Sequence, residues 1–189
     1  SIRILISKPY GSKTKLKINY NNNIYNVIIN LIGEFQIKNL FHAIILSVSS
    51  GISINKIIKI LPKIKPIEGR LNIFKNNNKI VCLDYAHTPD GLEKVITTLK
   101  SHFNKSVNIV FGCGGNRDKG KREKMGKIVN KLCKKIIVTD DNPRDENPKD
   151  ITKQIYKHID KGLIINDRRL AIKKAIKSIG DNEVLLVAG

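Results

Sequence analysis

VNIVFGCGGNRDKGKREKMGKIVNKLCKKIIVTDDNPRDENPKDITKQI, residues 107–155, decides the fold. It opens on a mostly apolar run, Val107–Phe111, broken only by Asn108, of the kind that a strand buried on both faces requires. Glycines and charges follow, then a helical pattern from about Arg122. A second apolar run, Lys135–Thr139, leads through a polar loop to Asn147-Pro148. That pair reads as a helix N-cap followed by proline in the first helical position. Strand, helix, strand, helix is the rhythm of an α/β unit with parallel strands.

The same rhythm continues on both sides. Upstream, Lys79–Leu83 precedes a helix that starts at Thr88-Pro89, again a cap and a proline. Downstream, Leu163–Ile165 precedes a helix from Arg168, and Glu183–Val187 forms a last strand. The expectation is an α/β fold with a mostly parallel sheet and helices on both faces.

The first third of the chain has a different period. Ile2–Ile6, Lys15–Ile18 and Tyr25–Ile29 alternate as strands, with Asn21-Asn22-Asn23 as a turn between the second and third. A helix is expected over 37–49, ended by Gly51, and another over 54–61, capped by Ser53 and stopped by Pro62. The Pro62–Gly69 stretch, with two prolines and a glycine, marks the boundary between an N-terminal part, 1–65, and a C-terminal part, 66–189.

Composition restricts the function classes. The formal charge of +19 raises a basic α/β nucleic-acid-binding module as one reading. Against it, the lysines are scattered and no aromatic residues interleave with them as stacking platforms. Lysine, isoleucine and asparagine enrichment is what AT-rich codons favour, so the charge reads as drift, with a small anionic ligand contributing. Neither a nucleic-acid nor a membrane partner is expected, because no stretch has the apolar length to span a bilayer. Cys82, Cys113 and Cys133 lack any metal-ligand spacing and read as reduced thiols, and no signal-peptide pattern opens the chain. A cytoplasmic monomer is the expectation. The chain opens directly on a strand and closes on one, and is read as part of a longer protein.

In a parallel α/β sheet, ligands bind beyond the carboxyl ends of the strands. That rule groups Asp84-Tyr85-Ala86-His87, Gly112–Arg122, Asp140–Arg144, Asp167-Arg168 and Ala188-Gly189 on one rim. The glycines of Gly112–Gly115 permit close backbone approach, and the basic residues after them suit a carboxylate or phosphate. The segment lacks the G-K-[ST] ending of a Walker A loop. In the loop Asp141-Asn142-Pro143-Arg144, Asp141 could meet an ammonium and Arg144 a carboxylate, which together suit a zwitterion. By spacing alone, an Asp/Asn/Pro turn explains that loop better. His87 beside Asp84 could be an acid/base pair, but a histidine satisfied at a helix start is the simpler reading. His42, His102 and His158 read as structural.

DYAHTPDGLEKVI (84–96), VFGCGGNRDKGKREKMG (110–126) and VTDDNPRDENP (138–148), in this order and spacing, resemble the Mur ligase family. LIGEFQIKNLFHAI (31–44) and IEGRLNIF (67–74) look like that family's central-domain and interdomain segments, so the resemblance covers essentially the whole chain. It resembles in particular the members that add the third residue of the peptidoglycan stem peptide. It implies a Rossmann-like C-terminal ligase domain, preceded by the tail of a central ATPase domain that contributes strands and two helices. The implied reaction is ATP-dependent addition of meso-diaminopimelate to UDP-MurNAc-L-Ala-D-Glu, or, as the alternative, of lysine.

The resemblance also implies site residues. Arg117 matches the arginine that holds the incoming amino acid. Asp141, Asn142, Pro143 and Arg144 match the loop that recognises diaminopimelate, and Gly189 matches the first glycine of a further acceptor-binding segment. Asn39, Arg70, Asp84 and His87 match positions near the nucleotide. The family's P-loop, carbamylated lysine and Mg2+ ligands lie upstream of the matched region. This segment alone is therefore expected to be inactive, with no catalytic residue assigned in it. Gln36 and Asn116 depart from the family's usual Asn and Asp while keeping hydrogen-bonding capacity.

Overall fold

A computed structural model describes residues 1–189, which divide into two compact units, Ser1–Ile67 and Glu68–Gly189. The first unit is an antiparallel meander of β1 (Ile2–Tyr10), β2 (Lys13–Tyr20) and β3 (Asn23–Ile29). Thr14, Leu16 and Ile18 alternate with Lys13, Lys15 and Lys17, so β2 buries one face and wets the other. The buried face packs on Ile37, Leu40 and Ile44 of α1 (Glu34–Ser49) and on Ile54 and Ile57 of α2 (Ile54–Ile60).

Three expectations change here. Helix α1 starts three residues earlier than 37, after Gly33, whose φ of 86° gives the chain its entry angle. Ser53 precedes α2 as expected, but its side chain makes no capping hydrogen bond. Pro62 does not end the turn outright: Leu61–Lys63 continues as a short 3-10 segment, because proline is tolerated where no amide need be donated.

The second unit holds a six-stranded sheet and four helices. Its strands are β4 (Asn72–Asn76), β5 (Lys79–Asp84), β6 (Ser106–Phe111), β7 (Ile136–Val138), β8 (Leu163–Ile164) and β9 (Glu183–Ala188), in the order β4-β5-β9-β6-β7-β8. Every pair is parallel except β4 with β5. Sequence reading missed β4, whose Asn-rich composition carries no strand signal; it forms because the turn at Asn77 (φ 51°) folds it onto β5 as a hairpin.

The helices α3 (Pro89–Phe103), α4 (Gly120–Leu132) and α5 (Pro148–Tyr156) pack in series along one face, while α6 (Arg168–Ser178) lies on the other. The handedness rule explains this. From β5 through β8 the chain steps in one direction across the sheet, and right-handed crossovers then keep the helices on one side. The last crossover runs back to insert β9 between β5 and β6, so its helix falls on the opposite side. Ala171, Ala175 and Ile179 pack there on Val110, Ile137, Leu185 and Val187. Thr88 and Asn147 cap α3 and α5 as expected, accepting from Gly91 N–H at 3.2 Å and Lys149 N–H at 2.9 Å. No helix is long and apolar enough to cross a membrane.

Candidate functional site

Strand register builds the site's floor. Asp84 pairs with Ala188, Ala188 with Phe111, Phe111 with Val138, and Val138 with Ile164. Five parallel strands thus end in one row, and the segments that follow them share a rim. Arg168 staples that rim: its guanidinium donates to Asp140 O at 3.3 Å, Ala188 O at 3.1 Å and Gly189 O at 3.3 Å.

Two loops on this rim are clasped together: 112–119 after β6 and 140–147 after β7. Gly115 N–H donates to Asn142 O at 2.8 Å, and Arg144 Nη1 donates back to Gly115 O at 2.6 Å. Gly115 has no room for a side chain, since a Cβ there would lie 1.8 Å from Pro143 O. Asn116 N–H donates to Glu146 Oε1 at 2.6 Å, and its side-chain amide to Asp145 at 2.7 Å. Asn116 and Arg144 both occupy the left-handed region, each with φ 50°.

The hub of the clasp is Arg122, only 1% exposed. Nη1 donates to Glu146 Oε2 at 2.9 Å and to Gln154 Oε1 at 2.8 Å; Nη2 donates to Glu146 Oε1 at 2.8 Å and reaches Gly114 O at 3.5 Å. The fork of Arg122 and the N–H of Asn116 hold the Glu146 carboxyl down at about 2. Sequence reading placed Arg122 and Arg168 on the rim without giving them, or Glu146, a role, and it passed over Gln154. One signal was available for Arg122: it shares a helical face with the buried Met125, Gly126 and Val129. An arginine in an apolar stripe must have partners, and those partners come from loops distant in sequence.

Asp141 lies over the same glycines. A Cβ on Gly114 would stand 3.8 Å from Asp141 Oδ2 and 3.0 Å from Arg144 Nη1, and one on Gly189 would stand 3.9 Å from Asp141 Oδ2. Asp141, Arg144, Gly114 and Gly189 are thus one cluster. Asn142 and Pro143 take part through their carbonyls. Arg117 is exposed and follows directly on the pinned Asn116. Cys113 is no nucleophile here: burial pushes its thiol up to about 11, and its Sγ lies 3.7 Å from Met125 Sδ.

The other end of the rim carries three further expected residues. Asp84 is buried and accepts Leu71 N–H and Ala86 N–H, both at 2.8 Å. Burial raises its carboxyl above the ordinary value, and these amides and the Arg70 charge pull it partly back. Asp84 therefore shapes the turns on both sides of it, including the strained Leu71 (φ 47°). Arg70 lies over the exposed Tyr85 ring at 5.9 Å. His87 Nδ1 is 2.8 Å from Tyr85 O, and Lys121 Nζ donates to His87 O at 3.2 Å. Asn39 is exposed on α1 in the first unit. No group of three or more His, Cys, Asp or Glu side chains could hold a metal ion.

The glutamate ligase domain of Mur ligases matches residues 69–189. The UDP-N-acetylmuramoyl-L-alanyl-D-glutamate–2,6-diaminopimelate ligase of Rickettsia felis is 42% identical over 98% of this chain, and the aligned stretch is 36% of that protein. The chain thus spans about a third of the length of the curated relatives it matches. A solved structure of a diaminopimelate ligase of the same name superposes over 100% of this chain and 39% of its own, with a TM-score of 0.74 and 31% identity. Folylpolyglutamate synthase of Mycobacterium tuberculosis, complexed with ADP and AMPPCP, shares the fold at a TM-score of 0.79 and 18% identity, over 100% of this chain and 45% of its own.

Proposed function

This chain belongs to the Mur ligase family, and we propose that it forms the acceptor-amino-acid end of an ATP-dependent ligase that joins meso-diaminopimelate to UDP-MurNAc-L-Ala-D-Glu. The observation that carries this reading is the chain-long likeness to relatives named for diaminopimelate. In this reading residues 1–65 are part of the central ATP-binding domain and 66–189 the acceptor-binding domain, and the ligase works as a cytoplasmic monomer.

The roles follow from chemistry. Diaminopimelate carries two amino-acid ends. Asp141 is a negative acceptor suited to an ammonium, and Arg117 and Arg144 are guanidinium forks suited to carboxylates. Arg144 commits one donor to Gly115 O and keeps the rest of its five N–H groups for a ligand. Asn142 O holds the Gly115 N–H, Pro143 O packs against Gly115, and Gly189 lends bare backbone beside Asp141. Beside a lysine side chain Arg144 would find no second carboxylate, so lysine forgoes that charge-assisted pair and binds less well.

Arg70, Asp84 and His87 are assigned to the nucleotide. The exposed Tyr85 ring with Arg70 above it suits a base and its phosphates. ATP supplies the activation, converting the D-Glu γ-carboxylate to an acyl phosphate that the acceptor amine attacks with loss of phosphate. The residues here bind and orient; that is the main requirement, because phosphoryl transfer needs little covalent help from the protein. The ligands of the Mg2+ that accompanies ATP are assigned to the rest of the ligase.

Acceptor-dependent phosphate release by the full-length protein tests the reading. Release is expected with meso-diaminopimelate and not with lysine; a preference for lysine overturns the acceptor assignment. Arg144→Ala should cut the diaminopimelate-to-lysine ratio of kcat/KM by about 10- to 100-fold, the value of a charge-assisted hydrogen bond.

A further inference from the structure

Arg122 and Glu146 stand outside every role assigned above, yet their contacts converge on the residues beside Arg117 and Arg144. One carboxylate, Glu146, takes both nitrogens of the Arg122 fork and also the N–H of Asn116, the residue immediately before Arg117. Glu146 itself lies two residues after Arg144, whose Nη1 reaches across to Gly115 O. The Arg122 fork is anchored from behind by Gln154 on α5 at 2.8 Å. Its one orphan is Nε, buried without a partner, so the group is held by the fork alone.

We propose that Arg122 and Glu146 are positioning residues for acceptor selection: their ion pair sets the spacing of Arg117 and Arg144, and with it the affinity for an amino acid that has two carboxylates. The inference rests on the acceptor-binding reading of these loops. A two-carboxylate ligand is recognised by the distance between two cations as much as by either cation alone. Both cations sit on left-handed or glycine-rich backbone, which does not hold a position without external ties. The pair supplies those ties from a buried helix face. The low-lying Glu146 carboxyl keeps the pair charged throughout the neutral range.

Steady-state kinetics on the full-length ligase tests this, with Glu146→Gln and Arg122→Lys. Glutamine keeps the size and one acceptor but loses the charge; lysine keeps the charge but loses the fork. In both, KM for meso-diaminopimelate should rise about 10-fold or more while KM for ATP stays within about twofold. The discrimination against lysine should fall by a similar factor. An equal rise in both KM values, or an unchanged acceptor KM with only a lower Tm, overturns the proposal and leaves the pair as a stability element. If Glu146→Gln does not fold, Gln154→Ala, which removes only the rear anchor, is read by the same ratio of KM values. A wild-type protein without diaminopimelate-dependent phosphate release would instead overturn the functional reading, before any variant is compared.

Discussion

At the scale of the residue, close approach decides more than charge. Gly115 has an ordinary, negative φ, so its backbone conformation is open to any residue. Its constraint is the Pro143 carbonyl, 1.8 Å from where a Cβ would stand. Gly115→Ala must therefore push the two loops apart, breaking the Gly115–Asn142 and Arg144–Gly115 hydrogen bonds together. The expected cost is about 1–3 kcal/mol of stability, as for overpacking elsewhere, measured by urea denaturation. Loss of acceptor-dependent turnover should accompany it. Gly69 is constrained twice over, by φ 71° and by the Tyr85 ring 2.1 Å from an added Cβ. Among the titratable residues, Asp84 is also a local scaffold: its carboxylate accepts the Leu71 and Ala86 amides on either side of it.

At the scale of the element, helix starts separate into those held by a side chain and those that are not. Thr88, Asn147 and Asp167 each accept a hydrogen bond from the first turn of α3, α5 and α6. Ser53 makes no such bond to α2. Replacement of Thr88 or Asn147 by Ala should lower stability by about 1 kcal/mol, whereas Ser53→Ala should cost well under half of that. Thermal melts of the three variants side by side decide it; equal losses at all three positions would mean that capping geometry is not what distinguishes them. The caps of α3 and α6 also follow strand ends on the rim, so the same residues that start these helices turn the chain away from the site.

At the scale of the whole molecule, charge and pH govern stability. Glu34, Glu123, Glu146 and Glu183 all have carboxyls held below the ordinary range. For Glu183, burial pushes upward, but Lys134, the Gly180 N–H, Lys135 and Asn108 outweigh it. A lowered folded-state value means that the stabilisation is present above the unfolded value, about 4.3, and is lost as pH falls through the folded one. Asp84, whose carboxyl is raised, acts in the opposite sense over the same range. With four lowered groups against one, the urea midpoint should fall between about pH 4.5 and pH 2. Glu183→Gln should flatten that fall; a profile identical to wild type would rule out the Glu183 network as a main source. The charge of +19 predicts weak, sequence-independent binding to oligonucleotides at low salt that disappears near about 150 mM. Fluorescence anisotropy across a salt series checks it, and tight binding at physiological salt would revive the nucleic-acid reading.

What the sequence by itself determined is the order and kind of the elements, because period, caps and breakers are local. The Lys-Thr-Lys-Leu-Lys-Ile alternation of β2, the apolar run of β6 and the Thr-Pro and Asn-Pro helix starts needed no partner to be legible. The rim was legible too, since strand ends in a parallel sheet share one edge whatever their order. Tertiary structure alone decided which strands are neighbours: nothing local announces that β9 inserts between β5 and β6, or that Asn72–Asn76 pairs at all. It alone turned Asp141-Asn142-Pro143-Arg144 from a plausible turn into half of a clasp. The reason is that Glu146 and Gln154 lie 24 and 32 residues from the Arg122 fork that they share. Folding buries the Arg122 fork, and a buried guanidinium must find such partners wherever the chain brings them.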